Sequence, residues 1–355
     1  MRLLDRHILK EFLGPFLFGI AAFMVILVGV QLAPTVLRLL VRDHFPPRLV
    51  AQVFLLRLPQ VIAFTLPMAT IFGSLMSMAN MSSNGEIIAV RAGGVSLLRL
   101  SIPILVMGVL VSGLNLCCAE VVVPASMDAA YKIQSDWAAN GQPVRDLHFF
   151  IPPTGQAQRV VSARSYDPRR KVLQGLMVAE MKNGRFWQIF SAEEAEWYGR
   201  EWTLRNVEHT VIDPLGGQRV FHLDAITVDI GKDPVELTKR DKTLDDMALK
   251  DLKVELPRGK YPRRQIIQYM KMHWALPWVS LGFALIGIPL GLRPVRATAG
   301  IGLGLSLVIA FAYYVLFNAL HLIGQQGALP SVVAAWLPNG VLFGAGLTLF
   351  LNARR

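Results

Sequence analysis

The fold class predicted by this 355-residue sequence is an α-helical polytopic membrane protein: six transmembrane helices, with an extracytoplasmic all-β domain inserted between helices three and four. Three observations carry it. The chain is 53% hydrophobic with a mean hydropathy of +0.42 and only 17% charged, where a soluble domain carries about 25%. Charge-free runs of membrane-spanning length recur along it. Between Glu120 and Lys271 the composition returns to that of a water-soluble domain, with 23 basic and 21 acidic residues.

The spans follow in order. Leu13 to Leu37 is 25 residues without Asp, Glu, Lys or Arg, and Leu58 to Gly85 is 28. A helix needs about 20 apolar residues to cross roughly 30 Å of hydrocarbon. Leu100 to Ala119 and Met272 to Leu292 meet that length too. Ala297 to Ala353 holds 57 residues whose one ionisable side chain is His321. As a single helix it would run ~86 Å, so the sequence predicts a reversal at the Gly- and Pro-bearing stretch Gly324-Gln325-Gln326-Gly327-Ala328-Leu329-Pro330. The first span is too long for the apolar core of a signal peptide and is expected to stay in the membrane.

Basic residues orient the spans. With the N-terminus inside, the inner side carries Arg2, Arg6, Lys10, Arg91, Arg99, Arg293, Arg296, Arg354 and Arg355, against Arg38, Arg42, Arg48 and Arg57 in the short outer loops. Nine against four favours both termini in the cytoplasm and the polar domain outside it. The four outer arginines run against the rule.

In the polar domain, Leu147 to Ile151, Arg159 to Ala163, Leu176 to Met181, Phe186 to Phe190 and Val220 to Val228 are short β-type runs. Asp167-Pro168, Asn183-Gly184, Asp213-Pro214 and Gly216-Gly217 separate them as turn signals. Such spacing predicts a sandwich or barrel-like β domain. Leu244 to Val254 reads as a polar helix, and Pro262 to Lys271 leads into the fourth span.

The net charge of +11 invites a nucleic-acid reading, but no basic stripe or nucleic-acid motif supports it; no nucleic acid is expected as a partner. Cys117 and Cys118 are adjacent in an apolar run and offer no disulfide framework or zinc set. No cofactor or metal is expected. Neither Gly231-Lys232 nor Gly259-Lys260 sits in a P-loop, so any ATP chemistry belongs to a partner. Ser306 and His321, the one pair suggestive of an intramembrane protease, are ~22 Å apart along one helix, beyond hydrogen-bond reach; no catalytic residue is assigned. Gly300-Ile301-Gly302-Leu303-Gly304 lacks the strand and third glycine of a dinucleotide site. Gly300 and Gly304 are expected to pack helices as a small-xxx-small pair, as are Gly340 and Gly344.

Two segments carry functional expectations. Ser83-Asn84-Gly85-Glu86 reads as a capping box, and Gly93-Gly94 ends the helix that follows, giving a short helix over about 83–93. It is either an ordinary helical loop or a coupling helix that transmits motion from an ATPase, with Glu86 and Arg91 for polar contacts. Arg38 and Arg42 lie four apart, on one helix face. They either snorkel at a helix end or grip an anionic headgroup, since guanidinium forks match phosphate geometry.

The chain resembles the LptF/LptG (YjgP/YjgQ) family, the permease subunits of the ABC transporter that extracts lipopolysaccharide from the inner membrane. The resemblance rests on Leu4-Asp5-Arg6-His7-Ile8-Leu9-Lys10-Glu11-Phe12, Leu66-Pro67-Met68-Ala69, Asn84 to Gly94, Lys271-Met272-His273-Trp274-Ala275-Leu276-Pro277 and Ile288-Pro289-Leu290-Gly291-Leu292-Arg293. It implies transmembrane helices 1–3 over 1–122, a periplasmic jellyroll-like β domain with a trailing helix over 123–262, and helices 4–6 over 263–355. The implied partners are a cytoplasmic ABC ATPase dimer, a second permease subunit (a paralogue or a second copy), periplasmic jellyroll bridge proteins and lipopolysaccharide. The lipid would enter a cavity lined largely by spans one and five, and Glu86 matches the acidic residue of the family's coupling helix. Family members often carry a basic residue deeper in span one, where Gln31 stands here, so Arg38 and Arg42 are implied to meet phosphates nearer the membrane surface. The alternatives are another ABC-type export or mechanotransmission subunit, or a structural membrane anchor whose β domain docks proteins.

Overall fold

A computed structural model describes residues 2–139, 144–154, 157–182, 185–198, 201–213, 217–228, 230, 233, 236, 242–258, 261–292 and 299–354. The Asn183-Gly184 turn and Arg293, Arg296 and Arg355 of the basic set lie outside them. Six helices are long and apolar enough to cross a membrane: Leu3–Val41, Pro47–Ser83, Leu97–Trp137, Arg263–Gly291, Gly300–Gln326 and Ser331–Ala353, spans one to six. The reversal between the last two falls where Gly327 and Pro330 break the helix.

The first three spans have 37 to 41 residues, longer than the hydrocarbon requires. Span three continues past residue 122 as a helix, Val123–Ala139, and the sheet starts at Val144. After the sheet, the helix expected over 244–254 is split into a single turn, Leu244–Asp246, and a linker helix, Leu249–Arg258.

Span four is the centre of the bundle: 67% of its most apolar stretch is buried, against 22% for span one and 28% for span five. Small residues let its backbone approach its neighbours. A side chain at Gly287 would meet Ser74 and the Ile71 carbonyl of span two, one at Gly291 would meet Leu75 and Met78, and one at Gly282 would meet Leu342 of span six. The buried hydroxyls of Thr65, Thr70, Ser74 and Ser77 return to carbonyls of their own helix at 2.8–3.1 Å, which satisfies them without water. Tyr313 donates to Asn339 Oδ1 (2.8 Å), whose amide donates to the Ala275 carbonyl (2.7 Å), tying spans five, six and four.

Leu4, Ile8, Phe12, Ile87, Leu97, Phe350 and Ala353 share one apolar cluster. Both chain termini and the loop after span two therefore lie at one end of the bundle, the terminal face. The inserted domain leaves from the opposite end, the sheet face.

Six antiparallel strands, β1 (Val144–Thr154), β2 (Ala157–Asp167), β3 (Val172–Lys182), β4 (Arg185–Tyr198), β5 (Glu201–Ile212) and β6 (Gln218–Val228), pair in sequence order in one sheet. The inserted all-β domain is therefore present as a single sheet; β5 carried no strand expectation. Alternation buries Val161, Ala163, Leu176, Val178, Phe190, Ala192 and Val207 on one face, but continues on Tyr166, Leu173, Ala195, Leu204 and Trp202, a one-residue shift. The shift runs along one line across the sheet, through Gly175 (φ +61°) and Asn206 (φ +53°). Left-handed backbone is natural for Gly and tolerated by Asn, and such irregularities bend strands. The crease lets both halves present apolar side chains to one concavity. Burial there pushes the Tyr166 phenol up to about 12, with Asp167 and Asp233 adding to it, so Tyr166 stays neutral against Trp202.

Candidate functional site

Span one leaves regular α-helical geometry at the two places where sequence reasoning set ligand-binding residues. Val28–Leu32 and Arg38–Arg42 are π turns, a feature frequent at functional sites. The first has a local cause. Pro34 has no N–H to offer the preceding turn, and the Ala33 N–H bonds instead to Val28 O, five residues back. Gln31 projects from this turn and is exposed. In the second, Asp43 N–H donates to Arg38 O (3.0 Å) and Phe45 N–H to Leu39 O (2.9 Å); the helix ends before His44, whose backbone is left-handed (φ +49°), and Pro46 and Pro47 open the helix of span two. Arg38 is exposed; the Arg42 side chain lies outside the described residues.

The flanks around these turns are bare. Span one packs on spans two and three, and span five on spans two, four and six. Val25, Val30, Leu37 and Val41 of span one, with Ile301, Val308, Phe311 and Val315 of span five, are exposed, Phe311 to 67%. Gly300 and Gly304 belong to this bare flank: neither has a heavy atom within 4 Å of where a Cβ would stand, and the same holds for Gly340 and Gly344. Among the described residues their expected packing is not made. Gly302 packs on Met76 instead, and Gly287-x-x-x-Gly291, which has the same signature, packs on span two. Ser306 returns its hydroxyl to Leu303 O (2.9 Å). His321 is buried against the Tyr269 ring and Gln325.

At the terminal face the expected short helix is Glu86–Ala92, narrower than 83–93. The capping box does not form. Ser83 donates to Asn80 O (2.9 Å) within span two, and Gly85, at φ +73°, starts the helix with no side-chain cap. Glu86 turns back toward span one and accepts from His7 Nε2 (2.8 Å). Ile87 anchors the helix in the bundle core, while Ile88, 74% exposed, Ala89, Arg91 and Ala92 form an outward face. Span three begins nearby, with the Arg99 guanidinium donating to Asp5 Oδ2 (2.7 Å).

At the sheet face lies a polar network that no local sequence pattern announces. Asp246, buried, accepts from Gln60 Nε2 of span two (2.9 Å), Tyr131 Oη of span three (2.7 Å) and Thr243 Oγ1 (2.7 Å). Arg57, one of the arginines that run against the orientation rule, is near enough for its charge to act at Tyr131. Glu120, in a π turn of span three over Cys118–Val122, accepts from Leu249 N–H (3.0 Å) and binds His273 Nδ1 of span four (2.7 Å). Lys242 pairs with Asp128. The chain leaving the sheet is thus bolted to spans two, three and four.

In the sheet the inner face opens at β6. Phe221 and Leu223 stand opposite His209 and Val207 in inward-facing rows, yet remain 48% and 37% exposed. Phe190 stacks on His209 at 4.3 Å, and His209 lies 6.1 Å from Phe221, so an aromatic row reaches the open edge.

No protein with curated annotation matches the chain. The family model described as "Lipopolysaccharide export system permease LptF/LptG" matches residues 6–352, which takes in the sheet and nearly all of the six spans. The chain therefore belongs to the LptF/LptG family of lipopolysaccharide export permeases, multi-pass proteins of the inner membrane.

Proposed function

We propose that this chain is the membrane permease subunit of an ABC-type exporter that extracts lipopolysaccharide from the inner membrane and hands it to a periplasmic bridge of β domains, with ATP hydrolysis supplied by a separate cytoplasmic ATPase dimer. The terminal face is then cytoplasmic and the sheet face periplasmic, as the basic-residue count favours. A second permease, paralogue or copy, covers the bare flanks of spans one and five, including Gly300 and Gly304, and lipid fills the remaining space.

The observation that carries this reading is the bare apolar flank of span one, interrupted by two π turns and ended by Arg38. A flank of this kind suits acyl chains, and guanidinium groups at its outer end suit the phosphates of lipid A. Arg38, Arg42 and Gln31 are the proposed substrate contacts. On the cytoplasmic side, the exposed Ile88, Ala89, Arg91 and Ala92 suit a groove on the ATPase, an amphipathic helix laid into a partner. The concavity of the sheet, open along β6, suits acyl chains leaving the membrane.

The test is purification with native partners, followed by ATP-dependent release of lipopolysaccharide to the bridge. Copurification of an ABC ATPase is expected, with release reduced by at least about tenfold when Arg38→Glu and Arg42→Glu are combined, since two attractive contacts become repulsive. Release that is unchanged in the double variant removes the headgroup role. A complex without any ATPase removes the reading.

A further inference from the structure

Span one enters the bundle through a cradle at the terminal face. At 100° per residue, Leu4, Ile8 and Phe12 fall in one stripe, and the structure buries Ile8 and Phe12 completely against Ile87, Leu97 and Leu100. Asp5 lies at one margin of that stripe and His7 at the other, about 200° apart about the helix axis. Each margin holds an ionisable contact. His7 Nε2 meets Glu86 Oε2 at 2.8 Å, on the first residue of the short helix, and Asp5 Oδ2 meets Arg99 Nη2 at 2.7 Å, just beyond that helix's Gly93-Gly94 end.

An apolar stripe alone lets a helix roll over its neighbour, because dispersion contacts have no strong directionality. Hydrogen-bonded charges on both margins do not. They set the rotation of span one about its axis, and both lead to the segment that begins and follows the short helix.

We propose that His7 and Asp5 are positioning residues that key span one to the coupling segment, so that displacement of the short helix by the ATPase turns span one directly and moves Gln31 and Arg38 at its other end. This inference rests on the proposed function.

The experiment uses the purified full complex and measures two rates, ATP hydrolysis and lipopolysaccharide release. His7→Phe removes the hydrogen bond, His7→Gln keeps a donor, and Asp5→Arg and Arg99→Asp are made singly and together. The release-to-hydrolysis ratio is expected to fall about fivefold or more in His7→Phe and in each single reversal, the lower range of coupling between sites. It should be retained in His7→Gln and recover in the reversed pair. A structural role alone would lower both rates or complex yield without moving their ratio. Should the single reversals fail to assemble, the two His7 variants decide. A ratio equal to that of the wild type in His7→Phe overturns the proposal, as does a reversed pair that assembles without recovering. If the wild-type complex lacks an ATPase or releases no lipid, the proposed function fails; if it works and the variants match it, only this inference fails.

Discussion

The two ends of the helical bundle are tied in opposite ways. At the terminal face, one half-exposed pair, His7 with Glu86, and one partly exposed pair, Asp5 with Arg99, connect span one to its neighbours. At the sheet face, Asp246 accepts three hydrogen bonds from three segments while buried, and Glu120 joins span three to span four and the linker helix. Exposed ion pairs form and break at little cost, whereas a buried carboxylate stripped of its partners is costly. The sheet face is built as a brace and the terminal face as a joint that can move. A permease driven from the terminal face needs this asymmetry: motion enters where contacts are cheap to rearrange, and the exit to the sheet holds its place.

Five substitutions, one of them a control, bear on that comparison, in descending order of expected effect. Asp246→Ala leaves Tyr131, Gln60 and Thr243 donors unpaired in a buried site and should destabilise the chain by about 3 kcal/mol; thermal unfolding in detergent measures it, and an unchanged midpoint would mean that the brace carries no load. Gly291→Leu forces a side chain into Leu75 and Met78 and should cost about 1–3 kcal/mol by overpacking, whereas Gly304→Leu, in open space, should leave the isolated chain's midpoint unchanged and weaken pairing with a second permease. Tyr131→Phe removes one of the three bonds to Asp246 and should cost about 1 kcal/mol, a value that sharpens how the brace divides its strength. His7→Phe should barely move the unfolding midpoint while lowering lipid release per ATP. If His7→Phe destabilised as much as Asp246→Ala, the contrast between joint and brace would be gone.

The parts legible in the sequence were those that sum over many neighbouring residues. Spans are read from 20 or more apolar positions at once, so Pro15, Pro59, Pro67 and Pro103 inside them did not disturb the reading. Strands were found where alternation was strong, and β5 was missed because Arg205, Asn206 and Glu208 interrupt it beside the crease. The short helix Glu86–Ala92 was legible from Gly85 and Gly93-Gly94, but the capping box predicted for it does not form, because Ser83 finds a carbonyl in its own helix. Gly287-x-x-x-Gly291 and Gly300-x-x-x-Gly304 look alike as sequence; only the neighbours, Ser74 and Leu75 for one and open space for the other, tell them apart. The brace was illegible for a different reason. Asp246 lies 186 positions from Gln60 and 115 from Tyr131, and nothing local announces such a pairing.

In the proposed function, lipopolysaccharide travels along the bare flanks of spans one and five. A photo-crosslinking side chain placed at Gln31, at Phe311, and at Leu114 on the exposed flank of span three tests this route in the assembled complex. Lipopolysaccharide adducts are expected at Gln31 and Phe311, diminishing when ATP is added, and none at Leu114. Adducts confined to Leu114, or equal at all three positions and indifferent to ATP, would contradict it.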